Sequence, residues 1–134
     1  MRLFHELLIP HLPRQQLLGQ HRECAALRGL GWGRKHSTVD YVFRHSPYKL
    51  YQYHMAVMSQ ILDRGYNVAA VWYSPYYRGK QCPKYTDAEL GIWADLSIWT
   101  DYSRLIYPEH DEAYLRECLD NLAGKGVVIK GVAP

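Results

Sequence analysis

The sequence predicts a mainly α fold: a compact single domain, residues 1–134, of three to five helices joined by long loops. Three observations carry that expectation. Helix start and stop residues bracket several segments, and apolar side chains recur within them at helical spacing. In addition, 134 residues that are 48% hydrophobic are enough to bury a real core.

The stretch around which the rest is expected to organise is PRQQLLGQHRECAALRG, Pro13 to Gly29. Pro13 suits a helix's first turn, and Gly29 is placed for a left-handed stop beyond the last residue. At about 100° per residue, Gln15, Gln16, Gly19, Gln20, Arg22, Glu23 and Ala26 share one face. Leu17, Leu18, Cys24 and Ala25 occupy the opposite side and should meet a core. The first face is unusual for a solvated surface. It carries one acid, one base, three amides and two tiny residues that let a ligand approach the backbone, which makes it a candidate site wall.

Before this helix, Met1 to Leu12 is a short apolar lead-in, expected to be tied down with its terminal amine near the polar face. His5-Glu6 followed by His11 does not have the spacing of the zinc-binding H-E-x-x-H pattern. After Gly29, Arg34, Lys35 and His36 form a basic knot beside Trp32, which suits either phosphate contact or a solvated loop. Ser46-Pro47 reads as an N-cap and first helical position, with a helix to about Arg64 and Gly65 as its stop. Leu50, His54, Val57 and Ile61 form its inward stripe, where His54 reads as a hydrogen-bonded core histidine.

Residues 66–85 form a loop dense in aromatics. Trp72, Tyr73, Tyr76 and Tyr77 beside Arg78 and Lys80 fit base stacking, or equally the gluing of a long loop to the helices. Thr86-Asp87-Ala88-Glu89 is a capping box opening a helix to about Trp99. Pro108 is expected to open a last helix ended by Gly124, with Leu115, Leu119 and Leu122 inward and an acidic face of Asp111, Glu112, Glu117 and Asp120 mostly outward. The tail GVVIKGVAP has extended character and is expected to pack as an edge segment.

Cys24, Cys82 and Cys118 are odd in number and far apart, which disfavours a disulfide framework and points to a cytoplasmic protein. No apolar run approaches the ~20 residues of a membrane span, so no membrane partner is expected. The net charge of +3 is unevenly spread. Residues 1–50 carry eight Lys/Arg against three acids, whereas the remainder carries eight against ten. A basic first half favours a polyanionic partner for that half.

Several of these features occur together in a known order. Arg22-Glu23 on the first helix, Gly33-Arg34-Lys35-His36, Ser46-Pro47, the run Leu62-Asp63-Arg64-Gly65-Tyr66-Asn67 and Tyr77-Arg78-Gly79 resemble the pyrimidine-dimer DNA glycosylases typified by phage endonuclease V. The opening MRLxHE and the run QLLGQHREC resemble a bacterial branch of that family. The resemblance covers residues 1–80. It implies a helical domain whose N-terminal segment threads between helices, and a free terminal amine that attacks the sugar C1′ of a damaged nucleotide, expels the base and leads to β-elimination.

By this resemblance Met1, retained because Arg2 follows it, supplies the nucleophile, and Glu23 stabilises the developing cation and accepts a proton. An α-amine titrates near pH ~8, so a useful fraction is unprotonated at neutral pH. Arg2 and Arg22 are expected to hold phosphates. Gln16 stands at the position of a family histidine, and Arg28 is the nearest substitute for a family arginine aligned with Ala26. Arg34 and Lys35 complete the expected DNA contacts. The implied partner is double-stranded DNA, damaged or abasic, met by a monomer in DNA repair without a cofactor or metal. Two alternatives stay open: a non-catalytic nucleic-acid-binding helical module, or a helical enzyme on a non-nucleic substrate with His5, His21 and Glu23 lining a pocket that holds a metal.

Overall fold

The computed structural model describes residues 2–29, 38–91 and 105–132. Met1, the Arg34–Lys35–His36 knot and residues 92–104 therefore lie outside the described residues. Regular structure among those described is entirely helical: α1 (Arg14–Arg28), α2 (Pro47–Asp63), a single turn α3 (Asp87–Leu90) and α4 (Glu112–Gly124), with 3₁₀ turns at Glu6–His11, Asp40–Arg44 and Ala70–Tyr73. The mainly α expectation holds.

Each helix end has a local cause. Pro13 stands at the N-cap of α1 and Gly29 at its C-cap. Gly29 is not left-handed, however, having φ −88°. Its missing side chain matters because a Cβ there would lie 3.0 Å from the Arg78 carbonyl oxygen. In α2 the Ser46 hydroxyl accepts from Tyr48 N, Pro47 opens the helix, and Gly65 leaves it at φ 86°, a conformation that favours glycine. The Thr86 capping box is present with both of its bonds, but α3 stops at Leu90 because Gly91 turns left-handed at φ 65°. The expected continuation to Trp99 falls on residues outside those described.

Pro108 does not open the last helix. It sits in the turn closed by His110 N donating to Tyr107 O, and α4 begins after Asp111, whose carboxylate accepts from Tyr114 N. The tail forms no strand among the described residues, although Val127, Ile129 and Val132 pack on the core.

One core joins these elements. Leu17, Cys24 and Leu27 of α1 meet Leu50, Tyr53, Val57 and Ile61 of α2 and Leu115, Cys118 and Leu122 of α4. Leu3, Phe4, Leu8, Ile9 and Leu12 fill the space among the three helices. Those five side chains anchor the start of the chain by burial, each worth roughly 1.5–3 kcal/mol relative to exposure. A smaller cluster, Tyr48 and Leu90 with Tyr51, Tyr76 and Tyr85, glues the 66–85 loop to α2. No described helix is long and apolar enough to cross a membrane.

Candidate functional site

Residues 2–5 run as a thread with no helix or strand to absorb their backbone groups, and buried backbone polar groups need partners. Side chains supply them. Gln20 of α1 clamps the thread twice, its Nε2 donating to Arg2 O at 2.9 Å and its Oε1 accepting from Phe4 N at 3.0 Å. The Tyr53 hydroxyl of α2 lies 2.8 Å from Phe4 O and 2.7 Å from Gln20 Oε1. From α4, Tyr114 donates to Leu3 O, and Cys118 Sγ accepts from His5 N at 3.4 Å. His110 Nδ1 then accepts from Glu6 N at 3.1 Å. Three helices thus hold the thread residue by residue, and Arg2 is delivered to one turn from Glu23.

At that point lies a cleft of about 600 Å³ lined by Gln15, Gln16, Gly19, Gln20, Arg22 and Glu23 of α1, together with Arg2, Phe4, Thr38, Asn121 and Lys125. Six of the seven residues that helical spacing places on one face of α1 are therefore in one cleft. The seventh, Ala26, lines a neighbouring cleft with Arg22, Trp72, Arg78 and Lys80. The Glu23 carboxylate is half-buried, and its Oε2 is shielded from solvent without a hydrogen-bond partner. Asn121 Oδ1, across the cleft on α4, is in the same condition. An unsatisfied buried acceptor costs roughly 1–3 kcal/mol. Two of them in one cleft form a surface short of donors.

The cationic groups differ in availability. Arg22 is exposed at the junction of the two clefts. Arg2 is engaged by Glu117, both terminal nitrogens standing 3.1 Å from Oε1, and it lies over the Tyr114 ring. The pair is partly exposed, so it holds Arg2 only weakly. Gln16 is half-buried in the cleft wall.

Arg28 requires correction as a DNA contact. It is 1% exposed, and its NH1 donates to His54 Nδ1 at 3.0 Å and to Trp72 O at 2.9 Å. Its NH2 donates to Ser74 O and to Tyr77 O at 2.8 Å. Five residues separate it from Glu23, a rotation of about 140° at helical spacing, so it points into the protein, away from the cleft. Because arginine only donates, His54 Nδ1 must accept, and His54 Nε2–H therefore donates to His21 Nδ1 at 2.8 Å. Burial first, then the adjacent Arg28, holds His54 far below the usual histidine range, at about 2, and burial lowers His21 as well. His54 is the hydrogen-bonded core histidine that the sequence suggests.

This pairing also separates the members of the His/Glu pocket. His21 faces His54, while His5 is buried beside His110 and Tyr114, with Nδ1 accepting from Leu7 N. Neither joins Glu23 in the cleft, and among the described residues no group of three or more His, Cys, Asp or Glu is placed to hold a metal.

With the geometry in place, comparison with known proteins adds the family. A family model described as pyrimidine dimer DNA glycosylase matches residues 1–74, more than half of the chain. The chain belongs to the pyrimidine dimer DNA glycosylase family. Neither curated proteins nor solved structures give a match. The family is one of DNA glycosylases, so its substrate is DNA. The matched region contains the thread, α1 and α2, and with them every cleft residue except Asn121 and Lys125. Reading the sequence missed the structural part of Gln20 and the contribution of α4 to the cleft. The spacing of Glu117, Asn121 and Lys125, four residues apart and so on one helix stripe, was the available signal.

Proposed function

We propose that this chain is a DNA-repair glycosylase and abasic-site lyase that acts through the amine of Met1, with Glu23 as its acidic partner. The observation that carries the reading is the buried, unpartnered Glu23 Oε2 in the cleft to which the clamped thread leads. In this reading the amine lone pair forms a bond to C1′ while the bond from C1′ to the base breaks, the base leaving with the electron pair and taking up a proton. Loss of a proton from the attached nitrogen and opening of the sugar ring give an iminium. Removal of a C2′ proton then expels the 3′ phosphate.

Glu23 has two tasks in that sequence. Its negative charge stabilises the cationic centre, and its free oxygen accepts the proton released by the attacking nitrogen. Arg22 and Arg2 hold phosphates flanking the reacting sugar, Arg2 exchanging Glu117 for the phosphate, with Gln16 in the wall beside them. Arg34 and Lys35 extend the basic surface. Reaching C1′ distorts the duplex at a cost of a few kcal/mol, least at a lesion, which favours damaged or abasic DNA. The protein acts as a monomer, in the cytoplasm, without a cofactor.

Borohydride trapping on an abasic-site duplex tests the reading. A covalent adduct is expected, lost on acetylation of the terminal amine and slowed about 10²–10³-fold in Glu23→Gln. Salt-sensitive DNA binding with no adduct would replace it by a non-catalytic binding module.

A further inference from the structure

The cleft holds a second unsatisfied acceptor that the proposed chemistry leaves unused. Asn121 lies on α4 between Glu117, one turn before it, and Lys125, the residue that follows the helix, and both neighbours are occupied: Glu117 accepts from Arg2, and Lys125 Nζ lies 5.9 Å from the centre of the Phe4 ring. Asn121 Oδ1 alone of the three is shut off from solvent with no donor facing it. Such an oxygen is costly to bury, and the cost is recovered when a ligand brings the missing hydrogen. A carbonyl oxygen only accepts, so this atom suits an N–H or O–H donor and not a phosphate oxygen.

Within an intact strand a deoxyribose offers no such donor, because its O3′ and O5′ are both esterified. Loss of the base changes this and leaves a hydroxyl on C1′, the carbon that Glu23 serves in the reading above. We propose that Asn121 is a specificity-determining residue that accepts a hydrogen bond from the C1′ hydroxyl of a base-free sugar, so that the cleft favours abasic DNA. The inference rests on the proposed role of the cleft. It places a substrate contact on α4, outside residues 1–74, where the family match ends.

Binding of the full chain, acetylated at its terminal amine so that no covalent step intervenes, is measured by fluorescence anisotropy. Three otherwise identical duplexes are compared: one with an abasic site, one with a tetrahydrofuran analogue that lacks the C1′ hydroxyl, and one undamaged. The expected result is a roughly 5–10-fold preference for the abasic site over the analogue, about the worth of one hydrogen bond. Asn121→Ala removes that preference while leaving affinity for the analogue unchanged, and Asn121→Asp, which keeps the acceptor oxygen, retains it. Equal binding of the two sites by the unaltered side chain, or a preference that survives Asn121→Ala, overturns the inference and leaves the lyase reading standing. A preference that depends on Asn121 in a protein that traps no abasic site upholds the inference and removes the catalytic step instead. Absence of any DNA binding overturns both.

Discussion

Helix α1 carries a buried arginine, Arg28, and a half-buried glutamate, Glu23, on different faces, and they are finished differently. Around Arg28, both terminal guanidinium nitrogens are doubly engaged and the His54–His21 relay has a fixed direction, while Arg28 Nε and the buried Tyr73 hydroxyl of the adjoining loop lack partners. Around Glu23, its own Oε2 and the Asn121 Oδ1 of the opposite wall stand without donors. The first arrangement spends its hydrogen bonds on holding the 70–85 loop against α1 and α2. The second leaves them open. Polar groups in this chain thus differ in how far they are satisfied: most of those that hold the loop are paired, while the two cleft oxygens, like the buried Tyr73 and Tyr107 hydroxyls, are not.

The sharpest way to break that distinction is Arg28→Met. It strands His54 Nδ1 and three carbonyl oxygens, so a loss of about 3–5 kcal/mol is expected in urea unfolding, with a fall in Tm of about 10 °C or more. A loss below ~1 kcal/mol would mean that the loop is held by its aromatic packing alone. Next comes Gln20→Ala, which sits on the border between the two groups. It leaves Arg2 O and Phe4 N without partners at an expected cost of about 2–3 kcal/mol, and it should slow borohydride trapping by more than the lost stability explains. Trapping at the wild-type rate would show that the thread's position is set elsewhere.

Acid separates the clusters next. His54 and His21 have pKa values lowered by burial, as does His5 of the thread. Their folded values lie below the unfolded value of ~6.5, so the unfolded chain binds more protons in between, and stability rises with pH there. Stability is thus complete above pH ~7 and declines as pH falls below ~6.5, by at most ~1.4 kcal/mol per pH unit for each such histidine. For His54 the decline continues towards pH 2. Unfolding followed from pH 8 to pH 4 checks this, and a level profile would remove the histidine relay from the account. The smallest effect is expected for the stability of Glu23→Gln. An oxygen with no partner holds nothing together, so unfolding should shift by no more than ~0.5 kcal/mol, and a loss above ~2 kcal/mol would move Glu23 into the scaffold.

The sequence made α1 and α2 legible because their ends carry strong local signals, Pro13 and Gly29 for one, Ser46-Pro47 and Gly65 for the other. It misled at α4, where Pro108 fits a first turn but Asp111 caps the helix with its carboxylate. After the Thr86 capping box the first turn forms as expected and Gly91 then turns left-handed, while the rest of the expected helix lies outside the described residues. The cleft wall is readable as a helix face, whereas Arg28 enters only as the nearest substitute for a family arginine aligned with Ala26, a choice that ignores its angle on the helix. The thread's partners were out of reach. Tyr53, Tyr114, Cys118 and His110 meet residues 3–6 only once three helices have assembled, and no local pattern encodes that meeting.

The thread has a practical corollary. The carbonyl of Arg2 is fastened to Gln20, and both residues line the cleft, so the described chain starts at the site itself. An affinity tag fused to the front of the polypeptide would therefore act as a plug, leaving a well-folded preparation with an obstructed site.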